Sequence, residues 1–300
     1  MKKYVIYTVL TGGYDNITQP LVVDDRFDYI LFSDVSNNEY IGVWQVRLIP
    51  FENNDLTRLS RFPKMHPNEL LSKYYASLYI DANIQIINQQ IYDRVIELGK
   101  TDIDWASIKH PYRDCIFDEA YSVYGLDNED VIFRWCHKLR KENYPRHRGL
   151  FENGIIYRRH NERIKLADDT WWNLYMNFTR RDQLTLMYVL WKMPNIKTSY
   201  LLPQNENAWN SNNVRILKHS KKSQQGGRRG IKQSFLEHAR CRCRCGMEEK
   251  TEQFREFHYW LYSLNPILAK MLLDIWGMYA LIVYGIIIKY RAYKKHKTTC

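Results

Sequence analysis

Tyr79-Ile80-Asp81-Ala82-Asn83 is the stretch on which the fold turns. Ser77 to Ile80 reads as a short buried strand. The strand ends on a carboxylate, and a carboxamide follows two residues later. A helix-like segment, Pro67 to Ala76, leads into it, behind a basic stretch that holds Arg58, Arg61 and Lys64. Helix followed by strand is the grammar of an α/β sheet, and such sheets bind ligands beyond the carboxyl ends of their strands. Oxygen ligands at that place suit a hard divalent cation, and a cation is a common handle on a nucleotide diphosphate.

The flanking sequence repeats the pattern. Tyr4–Leu10 is apolar and β-branched, and ends in Thr11-Gly12-Gly13-Tyr14-Asp15, a strand followed by a turn. Phe27–Phe32, running into Ser33-Asp34, and Trp44–Ile49 are two further strands. Ile91–Leu98 reads as a helix, Trp105–Lys109 as a strand, and Asp118 to Lys141 carries helical spacing. Gly154–Arg158 is a strand, Asp168–Phe178 and Arg181–Trp191 are helices, and Lys197–Leu202 is the last strand. Strands alternating with helices predict an α/β domain with a mixed, mostly parallel sheet.

Charge divides the chain. The formal net charge is +11, yet residues 1–214 are close to neutral and the basic excess lies beyond them. A near-neutral front domain argues against a nucleic-acid binder. The organisation predicted is therefore a domain over 1–214, a basic linker over 215–246 and a helical tail over 247–300. Glu248–Leu264 is amphipathic, and Ile275–Ile288 is an uncharged run followed by Lys289, Arg291, Lys294, Lys295 and Lys297. That run is about 21 Å as a helix, short of a hydrocarbon core of about 30 Å. It predicts an in-plane contact with a membrane surface, with a helix packed on protein as the alternative. Lys2-Lys3 is followed directly by a strand-like segment, without a secretory leader pattern, which predicts a cytoplasmic protein peripheral on the inner membrane. Cys115 and Cys136 read as core residues; Cys241, Cys243 and Cys245 lack the spacing of a structural zinc site.

Several of these motifs together resemble a bacterial and plant glycosyltransferase-like family of capsule and mucilage polysaccharide synthesis. They are Tyr7-Thr8 with Gly13-Tyr14-Asp15, Phe27-Asp28-Tyr29 with Ser33-Asp34, Arg61 with Lys64-Met65-His66-Pro67, and Tyr79-Ile80-Asp81-Ala82-Asn83. Lys109-His110-Pro111, Glu119-Ala120, Glu152-Asn153 with Arg158, Trp171-Trp172 and Arg181-Asp182-Gln183-Leu184 continue the match, over roughly residues 4 to 205. The resemblance implies a GT-A-like domain that binds a nucleotide-sugar, a UDP-sugar first among them.

It also implies roles. Thr8, Gly12, Gly13, Tyr14 and Asp15, with Ser33 and Asp34, would cradle the nucleotide, although Gly-Gly and Ser-Asp serve ordinary turns as well. Arg58, Arg61 and Lys64 would offset diphosphate charge, or form a solvated basic face. Lys109, His110 and Gln183 complete the donor-binding set. Asp81 and Asn83 stand in the place of a D-x-D metal motif, one carboxylate short, and His219 resembles a late metal-binding histidine or is a surface histidine in a basic run. Mn²⁺ or Mg²⁺ is the cation implied. Asp182, Glu152 and Glu119 are the acids that could orient a sugar or take an acceptor proton; Asp182 also suits a helix start. The function expected is hexosyl transfer to a glycan or lipid-linked glycan of capsule or O-antigen type. A non-catalytic membrane-associated module with the same fold is the alternative.

Overall fold

The computed structural model describes residues 3–35, 39–123, 127, 129–218, 257, 260–269, 271–272 and 275. The chain groups into two units, one of Met1–Ile116 with Pro145–Ser223 and the other of Phe117–Tyr144 with Gln224–Cys300.

The first unit is built on β1 (Tyr4–Leu10), β2 (Phe27–Ser33), β3 (Tyr40–Ile41), β4 (Trp44–Leu48), β5 (Ala76–Ile80), β6 (Ile84–Ile86), β7 (Trp105–Lys109), β8 (Phe151–Arg159), β9 (Thr198–Tyr200) and β10 (Val214–Ile216). Eight of these form one sheet in the order β3-β4-β2-β1-β5-β8-β7-β9. β1 lies parallel to both β2 and β5, while β8 runs antiparallel between β5 and β7. The fold is thus α/β with a mixed, mostly parallel sheet. β2 and β5 leave β1 on opposite sides, so the crevice at the carboxyl ends of β1 and β5 is the topological switch point.

The helices of this unit are α1 (Leu56–Met65), α2 (Pro67–Leu70), α3 (Gln90–Lys100), α6 (Glu162–Asn177) and α7 (Gln183–Lys192). Alternating strand residues feed two cores, as a pleated strand buried on both faces requires. Tyr4, Ile6, Phe27 and Tyr29 meet Ile91, Tyr92, Val95 and Leu98 of α3. Val5, Tyr7, Ile30 and Phe32 meet Leu59 and Met65 of α1, Ile164 and Trp171 of α6, and Leu186 and Val189 of α7. In the second unit, α4 (Ile116–Ser122) and α5 (Glu129–Lys141) bury Phe117, Ile132, Trp135, Cys136 and Leu139, and Phe133 stacks on Tyr262 at 4.3 Å.

The segment before β5 differs from expectation. The basic stretch is itself the helix, α1, and the expected Pro67–Ala76 helix is the short α2 plus a turn. Asp55 starts α1, its carboxylate accepting from Thr57 N at 3.0 Å and Arg58 N at 3.4 Å. Pro63 lies inside the helix, where its missing N–H hides the pattern from a sequence reading. The region from Asp118 to Lys141 is two helices, and β6 pairs with β10 in a small second sheet. Among the described residues no helix is long and apolar enough to cross a membrane. His219, the cysteines from Cys241 to Cys245 and, beyond Ile275, the apolar run lie outside the described residues.

Candidate active site

Four elements converge at the switch point: α1, the end of β5, the start of β8 and the start of α7. Asp81 leaves β5 with its backbone N–H bonded to Gly154 O at 2.8 Å. Tyr79, two residues earlier and on the same face of the strand, donates its hydroxyl to Asp81 Oδ1 at 2.6 Å. Burial, followed by the Asp81 charge, raises the Tyr79 phenol well above its ordinary pKa, so it remains the proton donor.

Lys64 arrives from the buried face of α1. Its Nζ lies 2.7 Å from Asp182 Oδ2 and 3.8 Å from Asp81 Oδ1, and its side chain is only 2% exposed. Arg61, one turn earlier, reaches the same Asp182 oxygen through Nε at 3.2 Å. Burial alone would raise the Asp182 carboxyl; the charges of Lys64 and then Arg61 outweigh it and hold the group far below the carboxylate range. Burial likewise pulls the Arg61 guanidinium down, and Asp182 with Asp81 more than restores it. Asp182 caps α7 by position only, with no side-chain hydrogen bond to the helix. A carboxylate so firmly ionised is an electrostatic anchor and a poor proton carrier.

A deeper layer sets the height of Lys64. Its carbonyl, in the last turn of α1, accepts hydrogen bonds from Tyr7 Oη at 3.3 Å and from Arg158 Nη2. Arg158 and Asp168 are both buried and pair at 2.6 Å, and Asn68 donates to the other Asp168 oxygen at 2.9 Å. Burial pushes the Asp168 carboxyl up to about 6 against the pull of Arg158.

β8 brings the polar rim. The register with β7 jumps from Ser107↔Ile156 to Ile108↔Glu152, so Asn153, Gly154 and Ile155 form a bulge with no partner on β7, while Ile155 stays paired with Ile80 of β5. Ser107 Oγ clamps the bulge by bonding to Glu152 O and Ile155 O at 2.8 and 2.7 Å. A Cβ on Gly154 would lie 3.0 Å from Ile84 Cδ1 and 3.3 Å from Asp81 Oδ2, so glycine keeps the bulge against the carboxylate. Asn153 is buried, and among the described residues neither polar atom of its amide has a hydrogen-bond partner. A buried amide in that condition awaits a water or a ligand hydroxyl. Gln183 Nε2 bonds to Phe151 O at 2.9 Å, tying α7 to the same strand.

The β1 turn lines the other side. Gly12 and Gly13 have φ of 62° and 54°, and Gly12 N donates to Asp34 Oδ2 at 2.7 Å, joining the ends of β1 and β2. Thr11 Oγ1 donates to Leu56 O at 3.1 Å, which places this turn over the start of α1. Tyr14 is half-buried and Asp15 buried in the same turn. Thr8 is buried in mid-strand, and Ser33 Oγ accepts from Val35 N at 3.1 Å. Arg58 sits 3.9 Å from Asp55, which Arg180 also binds at 2.6 Å.

Other expected residues are placed differently. Lys109 is exposed at the end of β7, and His110 Nδ1 accepts from Tyr112 N and Arg113 N at 3.2 and 2.9 Å, which makes it a turn-former. Glu152 flanks the bulge, half-buried, whereas Glu119 is buried in α4 of the second unit. Trp171 is core, its Nε1 donating to Asp182 O at 3.0 Å; Trp172 packs edge-on against Phe51, Phe62 and His66. A separate groove of about 740 Å³, lined by α3 and Ser199–Gln204, shares none of these site residues. Sequence reasoning missed Tyr79 and gave Asn153 no role. The i, i+2 spacing to Asp81 signals the first; nothing local signals the bulge.

Among the described residues, with His219 outside them, the expected donors do not suit a dication while Lys64 holds its place. Asp81 is faced by a phenol and, between it and Asp182, by the Lys64 ammonium, and Asn83, whose Nδ2 donates to Leu217 O at 3.1 Å, offers only its carbonyl oxygen. A dication about 4 Å from that ammonium would be repelled by roughly 8 kcal/mol at an effective dielectric of about 20.

The sheet is mixed and mostly parallel, with a charged cluster at its switch point. The chain belongs to the TOD1/MUCI70, glycosyltransferase-like domain family, which it matches over residues 12–219. Among solved structures it is similar to the apo form of the bifunctional glycosyltransferase WbbM, at 10% identity and a TM-score of 0.43, over 69% of this chain and 40% of that one. The chain thus spans about two fifths of that protein's length. No curated protein matches it in sequence.

Proposed function

We propose that this protein transfers a hexosyl-type unit from a nucleotide-sugar to a hydroxyl of a growing cell-surface glycan. The observation that carries the reading is the convergence of Arg61 and Lys64 on Asp182 and Asp81 at the β1/β5 switch point. Cleavage of the donor leaves a nucleoside diphosphate, and the developing charge needs fixed positive groups close by. Arg58 and Arg61 are the partly exposed ones. The Gly12–Asp15 turn and Asp34 are assigned to the nucleotide. The Asn153 amide and the exposed side of Asp81 are assigned to sugar hydroxyls, and Glu152 to the acceptor proton. Capsule or O-antigen type glycans, presented at the inner face of a membrane, are the acceptor class proposed, with the C-terminal tail as the membrane contact.

The single carboxylate of the Asp81–Asn83 motif favours one other reading, a binding module that retains the fold without turnover. Thermal shift with a panel of UDP-, GDP- and ADP-sugars, followed by assay of donor hydrolysis, separates the two. Stabilisation with hydrolysis supports the enzyme, stabilisation alone supports the module, and neither result removes both.

A further inference from the structure

Lys64 is an unusual residue to find where it is. A lysine side chain is almost never fully buried without a compelling partner. This one is 2% exposed, and it stands between the two carboxylates of the site, 2.7 Å from Asp182 and 3.8 Å from Asp81. Its ring neighbour is Tyr79, with Nζ 4.8 Å from the centroid, so the phenol that bonds to Asp81 also shields the ammonium. Nothing about the position is accidental to the backbone, because the Lys64 carbonyl is held by Tyr7 and by the buried Arg158–Asp168 pair.

We infer that Lys64 is the site's built-in cation. Its ammonium holds the place between Asp81 and Asp182 that a metal ion would otherwise take, so the protein binds a nucleoside diphosphate without a divalent metal. This inference rests on the nucleotide-sugar reading of the same site. The charge inventory supports it. Arg61 and Lys64 face Asp81 and Asp182, while Arg58 and Arg180 both face Asp55; four cations against three carboxylates leave the cluster positive before any ligand arrives. Lys64 acts as a positioning residue. It offsets part of the charge of the two carboxylates, Arg61 meets the rest through Asp182, and the exposed sides of the arginines are left to meet the phosphates.

Removing the ammonium while keeping both carboxylates should create a dication site, because two carboxylates and the Asn83 carbonyl oxygen then form an oxygen set of the kind hard cations select.

The test is calorimetric titration of UDP and GDP into the full chain, in EDTA and in millimolar Mn²⁺, with Mn²⁺ binding followed separately by its paramagnetic resonance signal. The wild-type protein should bind one of the nucleotides equally well in EDTA and Mn²⁺, and should show no tight Mn²⁺ in the absence of nucleotide. Lys64→Gln should lose about tenfold or more in affinity in EDTA, should bind Mn²⁺, and should regain nucleotide affinity when Mn²⁺ is present. Asp81→Asn in the wild-type background should leave the EDTA and Mn²⁺ titrations equal to each other. Wild-type binding that requires Mn²⁺ overturns the inference and leaves the nucleotide-sugar reading standing. Failure of both nucleotides to bind under either condition overturns the two together. The wild-type comparison decides even if Lys64→Gln does not fold.

Discussion

Removing the carboxylate of Asp168 probes the layer beneath the site. Asp168 is 1% exposed and accepts from Arg158 at 2.6 Å and Asn68 at 2.9 Å. Asp168→Ala leaves the Arg158 guanidinium buried with only neutral oxygens, those of Tyr7 and Lys64, for partners. Breaking a buried ion pair from one side costs about 3–5 kcal/mol. At about 2–4 °C per kcal/mol for a unit of this size, the midpoint should fall by roughly 10 °C. Urea unfolding followed by far-UV circular dichroism gives the free energy directly. Arg158→Met combined with Asp168→Leu should recover much of the loss, because a buried pair replaced by apolar groups is often neutral or stabilising. The double variant should still bind nucleotide more weakly, since the Lys64 carbonyl has lost its guanidinium. A cost for Asp168→Ala below about 1 kcal/mol, in the range of a surface pair, would refute the claim that this pair sets the floor of the site.

Other perturbations address the rim and the tail. Gly154→Ala drives a methyl toward Asp81 Oδ2 and Ile84, and should weaken nucleotide-sugar binding more than it lowers the melting temperature; equal affinity would show that the bulge is not at the site. The His160 imidazole is held down to about 4 by burial and then by Arg158, from an ordinary 6.5. Between those values the unfolded chain takes up a proton that the folded one refuses, so stability is lost as pH falls from about 6.5 to about 4, by up to about 3 kcal/mol. His160→Gln should flatten that slope in urea titrations across the window, and an unchanged slope would assign the loss to other groups. Truncation after Gly246 should abolish flotation with anionic liposomes; undiminished flotation of the truncated chain would remove the tail as the membrane contact.

The strands that frame the site were legible because each is a run of apolar, β-prone residues ending on a polar one. Tyr4–Leu10 matches β1 residue for residue, and Asp81 falls one residue past β5 as expected. Helix α1 was not legible, because Pro63 argues against a helix and the Asp55 cap lies well upstream of it. The partners of Asp182 were not legible either: Arg61 and Lys64 lie more than a hundred residues away, and only tertiary packing selects them over a helix-start role. The same holds for the β8 bulge, which depends on a register jump against β7 that no local pattern encodes. Three-residue irregularities of this kind and buried charges both run against local preference, and they gather where a fold carries chemistry.

Glycosyl transfer at the Asp81 cluster is the central claim. Release of nucleoside diphosphate from the UDP-, GDP- and ADP-sugar panel, measured on the full chain with Asp81→Ala as its pair, tests it most directly. The prediction is turnover of at least one donor by the wild-type protein, and loss of that turnover in Asp81→Ala with an unchanged circular dichroism spectrum, because the carboxylate acts on the bound donor and contributes little to the core. Turnover by Asp81→Ala at the wild-type rate would contradict the account.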